Sequence, residues 1–554
     1  MGSRIQKNVS ARVSVGVQAP CKSTLASAIK SVNEGLRSSA YSVALGAVVG
    51  GAMLGSPVIM AQSEAIEEVT VMGIRASLKR AMDTKRDAKG IVDAISADDI
   101  GKFPDTNLAE SLQRITGVSI DRSRGEGSRI TVRGLGPDFN LVTFNGRQLP
   151  TQSGAGRSFD FANIASEGIA GVEVFKSGNA TLPTGGIGAT VNVITTKPLD
   201  NPGLRATAGV KLVHDTSTEE GDSVTPEYSG LFSTTLLDDT LGIAVSASFQ
   251  RRDSGENSGG TAGWFQFPAT AVKGGQIYAD DGFALNDRLD QQINDPTQHI
   301  NRPSGGDFYA VPRNTTYNIA EFERERINGQ LTLQWQPIDS LRGTIDYTYA
   351  ELDLTRRYTN IGGWYQFPAE ARSSWTNGPD NSNESALFYS EQNAATDFVT
   401  SIGEDGGTSE NKSLGFNLSW QPNDRLSIGL DYHESTATFG PNSEYGTSAN
   451  VGLLQNNRRG TTTYFNAGDL PVLELDLDPT LNRNGESLDP DAYSIGGSVF
   501  SNTQNKMEIN QATVSAEFQI DDISSIDFGV QLTKVNNKSA STNVKSGTWA
   551  GEGD

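Results

Sequence analysis

The 554 residues carry a net charge of −21, and 36% of them are hydrophobic. Mean hydropathy is negative and a single stretch approaches the length of an apolar span, so a bundle of membrane helices is excluded. No basic face dominates, which argues against a nucleic-acid partner. The 60 glycines and the loops rich in Asn, Asp, Ser and Thr suit an outer-membrane barrel, in which only alternate residues meet lipid.

Residues 1–40 hold Arg4, Lys7, Arg12, Lys22, Lys30 and Arg37 against Glu34. An apolar, Gly-rich run follows over 41–60, and then Ala61-Gln62-Ser63. This pattern reads as a secretory signal over 1–61, cleaved near Ala61. An inner-membrane anchor is the other reading, opposed by Pro57 and the glycines in the run. Cys21, the one cysteine, lies within the signal and has no apolar run before it. The mature chain then has no disulfide and no thiolate metal site.

Residues 62–73 form a short N-terminal segment, and 74–198 a compact α+β domain. Glu67, Glu68, Val69, Thr70 and Val71 alternate like a strand with no neighbour in sequence, a segment able to add itself to another protein's sheet edge. Ile74, Leu78, Ala81 and Met82 fall at helical spacing on a basic helix. Asn107-Leu108-Ala109-Glu110 predicts a capped helix that passes Leu112 and Ile115 and stops at Gly117. Strands are expected over 91–95, 118–120, 130–132, 141–144, 172–176 and 190–195, together forming a mixed sheet. Asn145-Gly146 marks a hairpin leading into Arg147-Gln148-Leu149.

After Pro198 the period changes to two. Nine strands are expected at 205–214, 228–237, 241–251, 327–335, 341–351, 413–420, 426–436, 508–519 and 526–534, each near the roughly 9–11 residues that cross a bilayer at a tilt. Short turns at 238–240, 337–340, 422–425 and 521–525 alternate with long segments at 252–326, 353–412 and 437–507. That asymmetry is expected of the two faces of a transmembrane barrel.

Two echoes occur in this half. LTLQWQP (331–337) and FNLSWQP (416–422) are each followed by a turn and then by Ile345-Asp346-Tyr347 or Leu430-Asp431-Tyr432. Trp335 and Trp420 would then sit at one membrane rim, the other reading being a core role. The second echo, GWFQFPA (263–269) and GWYQFPA (363–369), places Trp264, Phe265, Phe267, Trp364, Tyr365 and Phe367 in long loops. Flat aromatic faces suit sugar rings; alternatively these side chains pack the loops together.

His214, His299 and His433 are isolated in sequence, which gives no metal site. No nucleophile elbow, P-loop or dinucleotide fingerprint occurs in a credible setting, and Gly134-Leu135-Gly136 is too short for phosphate. No catalytic residue, cofactor or enzyme activity is expected.

The segments EEVTVMG, NLAESLQRITGVSI, ITVRGLG, VTFNGRQLP, GVEVFKSG and GGIGATVNVITTKP, in this order over 67–198, resemble the box and plug of TonB-dependent outer-membrane receptors. Residues 74–122 also resemble a subgroup described in xanthomonads and caulobacters and linked to carbohydrate uptake. Ala189-Thr190 departs from the pattern of many members. The resemblance implies an antiparallel transmembrane β-barrel over 199–554 with an α+β plug in its lumen, in a bacterial outer membrane. It implies that Glu67–Val71 pair with TonB, driven by its inner-membrane energising complex, to import a ligand bound outside. An oligosaccharide is the expected substrate. A ferric siderophore is the alternative on the same fold, and a passive porin or adhesin the alternative outside it. Nine strands against the family's 22 imply an N-terminal fragment.

Overall fold

The computed structural model describes residues 82–546 with interruptions, the largest of them at 97–106, 279–297, 302–307 and 377–382. By internal contacts the chain divides into Met1–Glu68 and Val69–Asp554, and all described residues belong to the second unit. The signal, the Glu67–Val71 strand, the start of the basic helix and the end at 551–554 lie outside the described residues. Within 82–86 the helical reading holds.

Seven strands build the first domain: β1 (Val92–Ser96), β2 (Val118–Ser123), β3 (Glu126–Val132), β4 (Asn140–Phe144), β5 (Arg147–Gln148), β6 (Ile169–Phe175) and β7 (Ala189–Thr195). Five of them make a mixed sheet in the order β1-β6-β7-β4-β5, parallel only between β4 and β7. The expected single sheet is therefore corrected. β2 and β3 pair only with each other, as a separate hairpin beside helix α1 (Leu108–Leu112). Leu108, Leu112, Ile130, Val132, Val142, Phe161, Val174, Val191 and Val193 close the core between these layers. Each such side chain contributes roughly 1.5–3 kcal/mol on burial.

Asn107 caps α1, its side chain accepting from the backbone N–H groups of Ala109 and Glu110. Glu110 does not reach back to complete a capping box. Its carboxylate instead accepts from the Gly127 amide at 3.0 Å and pairs with Arg122 at 2.7 Å, tying helix to hairpin. Close approach explains Gly127, where a Cβ would stand 2.8 Å from that of Ala109.

Nine strands after Pro198 form one row, β8 (Arg205–His214), β9 (Val224–Leu236), β10 (Leu241–Gly260), β11 (Asn314–Ile338), β12 (Leu341–Trp364), β13 (Asn383–Asn423), β14 (Leu426–Gly440), β15 (Ser498–Asp521) and β16 (Ser524–Ser546), and among the described residues nine further strands lie in the segments between them. Each pairs antiparallel with its predecessor, so chain order is spatial order. Among the described residues β8 and β16 each have one partner in this row, and the sheet stays open.

Period two sorts the two faces. On β11, Arg326, Asn328, Thr332 and Gln334 are buried against the first domain, while Ile327, Leu331 and Trp335 between them are exposed. Trp335 and Trp420 lie beside the short turns and are exposed, which fits a rim rather than a core. The long segments differ from expectation. β13 runs for 41 residues, and β10, β11 and β12 for 20 to 25. Apolar alternation ends where lipid ends, but the hydrogen-bonded ladder continues, so the pattern marked only the membrane part of each strand.

Candidate functional site

The interface between the first domain and the inner face of the sheet concentrates the buried charge. It begins with a turn. Asn145 (φ +50°) and Gly146 (φ +82°) both adopt left-handed backbone, the two-residue turn that Asn-Gly favours. Directly after it, Arg147 projects from β5 toward the sheet.

Its guanidinium pairs with both oxygens of Asp346 at 2.7 Å and with Asp431 at 2.9 Å, while Asn417 steadies Asp431 at 3.1 Å. The Arg147 side chain is 4% exposed. Burial opposes its charge, yet the carboxylates of Asp431 and Asp346 outweigh that and raise its pKa. Asp346 and Asp431 sit on β12 and β14, and the strand between them, β13, presents Gly415 opposite Asp346. A Cβ there would stand 1.7 Å from the guanidinium, so glycine makes the notch that Arg147 fills. Gly415→Val should expel the guanidinium and cost at least the 1–3 kcal/mol typical of overpacking. Faster limited proteolysis of the first domain, with the sheet intact, is the expected reading.

A second cluster has the reverse polarity. Glu126, beside the turn at the tip of the β2–β3 hairpin, pairs with Arg326 at 2.6 Å, with Arg324, and with Arg252 at 3.5 Å. Burial opposes ionisation of Glu126, but Arg326, Arg324 and Arg252 more than offset it and hold its pKa below the ordinary 4.5. A lowered native pKa gives stability that is complete above 4.5 and lost as pH falls through the native value. Protease access to the hairpin should therefore rise in acid below that value in the wild type. Glu126→Gln should show it already at neutral pH, without the acid step that this group contributes.

Neutral contacts fill the gaps. Asn328 donates to the Asn163 carbonyl at 3.0 Å and accepts from the Ala165 amide. Gln334 accepts from Leu199 at 2.9 Å, and Asn505 donates to the Gln152 carbonyl at 3.0 Å. Between the hairpin tip and the wall remains a cavity of about 50 Å³, lined by Arg124, Asp160, Phe322, Arg324 and Leu354. It suits water rather than a ligand of siderophore or oligosaccharide size.

The repeated aromatics divide. Tyr365 is 5% exposed and packs with Val311, Trp375 and Tyr389 in a second core, against which Phe265 also packs. Trp264 stays half exposed against Phe465, their ring centroids 4.7 Å apart; Trp364 stays half exposed with the Arg313 guanidinium 4.8 Å from its ring. The side chains of Phe267 and Phe367 lie outside the described residues. Of the expected ligand-binding set, Tyr365 is buried in this core and Phe265 partly buried against it.

Sequence reasoning quoted Arg147 within a motif without giving it a role, and it passed over Glu126 and its three arginines. A signal existed. The Ile/Leu-Asp-Tyr echo sets Asp346 and Asp431 at inward positions of two membrane strands, where a carboxylate needs a partner.

Residues 84–190 match the family described as TonB-dependent Receptor Plug Domain. The ferric enterobactin receptor PirA of Pseudomonas aeruginosa is 28% identical over 152 residues, which cover 25% of this chain and 20% of that protein. The match thus spans a fifth of the relative's length. Among solved structures, the ferripyoverdine receptor of the Pseudomonas aeruginosa outer membrane is 10% identical with a TM-score of 0.33, covering 84% of this chain and 54% of that one. The siderophore receptor PirA from Pseudomonas aeruginosa is 16% identical with a TM-score of 0.23, covering 83% of this chain and all of that one. Likenesses this loose carry no argument about ligand. The matched residues lie in the domain that Arg147 and Glu126 pin to the sheet, so this domain is similar to the plug of TonB-dependent receptors.

Proposed function

We propose that the protein is a TonB-dependent import receptor of the outer membrane and that its cargo is a ferric siderophore. One observation carries the reading: a plug domain held on the inner face of a membrane sheet by two buried ion-pair clusters of opposite polarity. Such a domain blocks a path and can be released, which is the task of an energised gate rather than of a passive pore. An outer membrane has no ATP of its own, so the work comes through TonB, paired as a strand with Glu67–Val71.

Two observations favour a ferric chelate over the oligosaccharide expected from sequence. The relative that is 28% identical over 152 residues is named a ferric enterobactin receptor. The aromatic repeat loses much of its force as a sugar platform, because Tyr365 and Phe265 serve the packing of the outer strands. The test is uptake of radiolabelled ferric siderophores and of labelled oligosaccharides by cells producing the receptor, each with and without TonB. TonB-dependent accumulation of a ferric chelate is the expected result, and TonB-dependent accumulation of an oligosaccharide alone would overturn the cargo.

A further inference from the structure

The outward face of the last two strands carries charge that nothing in the plug or the import reading uses. On β16 the outward positions are Ile526, Phe528, Val530 and Leu532, then Lys534, Asn536 and Lys538. The alternate positions point inward, as Asn537 shows by donating to the Gly154 carbonyl of the plug. On β15 the outward row is Phe518, Ala516, Val514 and Ala512, then Asn510, Glu508 and Lys506, while Asn505 reaches the plug. Both rows thus change from apolar to charged at the same level, Leu532 standing opposite Ala512 and Lys534 opposite Asn510.

Beyond that boundary Lys506 and Lys538 face each other directly in register. Like charges set opposite on one sheet face repel. Lys506 pairs with Glu508 at 2.6 Å, but among the described residues neither Lys534 nor Lys538 forms an ion pair. The remaining charges at this level are Glu434 on β14, the Lys412–Glu410 pair on β13 and Glu351 on β12, so the excess of positive charge belongs to β15 and β16.

The geometry points to a binding site for the phosphates of an outer-leaflet lipid at Lys506, Lys534 and Lys538. Lys534 stands two residues beyond Leu532, roughly 7 Å along the strand, which is the step from hydrocarbon to headgroup. Lys534 and Lys538 lie about 13 Å apart along β16. That span suits a headgroup bearing more than one phosphate better than a single ion. An anion between Lys506 and Lys538 turns their repulsion into a bridge, while the apolar row below receives the acyl chains.

The test is native mass spectrometry of the full chain in detergent, titrated with lipid A, a diphosphorylated glycolipid, and in parallel with phosphatidylglycerol and with inorganic phosphate. The wild type should retain lipid A, and the triple change K506Q/K534Q/K538Q should weaken retention about tenfold or more. The charge-preserving K506R/K534R/K538R should retain it, which separates loss of the site from loss of the fold. Equal retention by the glutamine variant would overturn the assignment. Displacement of lipid A by millimolar inorganic phosphate would overturn the lipid as its occupant.

Discussion

Deleting residues 67–71 is expected to abolish energised uptake completely while leaving ligand binding at the cell surface unchanged. The five residues alternate as a strand, and no segment of the described plug sheet is needed to explain them. On the proposed reading their backbone would supply the hydrogen bonds of a strand added to TonB, so removing the segment would remove the handle and not the receptor. The measurement pairs whole-cell binding at 4 °C with accumulation at growth temperature. Loss of binding along with uptake would show that the segment belongs to the fold. A proline at Val69 should reproduce most of the loss, because proline removes a ladder donor without shortening the chain.

Arg147→Ala is expected to have the largest effect on plug retention of any single substitution at the interface. Removing the guanidinium leaves Asp346 and Asp431 across an empty notch, buried and without their cation. Breaking a buried pair in this way costs about 3–5 kcal/mol, most of it from the charges left behind. Arg147→Lys should recover little, since one ammonium cannot make the paired contacts to two carboxylates. Asp346→Asn or Asp431→Asn alone should cost less than Arg147→Ala, because each leaves a cation that still holds one carboxylate. Limited proteolysis of the plug in urea, with sheet content followed by circular dichroism, ranks the variants. Equal plug release for Arg147→Ala and wild type would remove the cluster from the docking account.

Much of this was legible in the sequence, and the limits have physical causes. All nine membrane strands were readable because lipid on one side and lumen on the other impose strict alternation. Their outer extensions were not, since above the bilayer both faces meet water and the ladder persists without the pattern. The Asn145-Gly146 turn was readable because few dipeptides accept two left-handed residues in succession. The partners of Arg147 were not assigned, because they lie 199 and 284 residues away and only strand register brings them together. Glu110 shows the local version of this limit. Its spacing from Asn107 satisfies a capping box, yet Arg122 and the Gly127 amide compete for the same carboxylate and win. The aromatic repeat was visible as a repeat, but whether a ring packs or waits for ligand depends on what covers it.

The strand order of the plug sheet carries a mechanical consequence. Among the described residues β1 is the first strand and also the outermost of its sheet, bonded there to β6 alone through five residue pairs. Tension arriving from the N-terminus meets this ladder first, reinforced by the Lys176–Asp93 pair at 2.5 Å. β5, which leads with Arg147, is the opposite edge. The joint loaded first and the Arg147 rivet are therefore separated by the full width of the sheet. A pull can peel β1 away while the far margin stays fastened to the wall, so the plug would open as a flap turning on Arg147 before it could leave as a stopper.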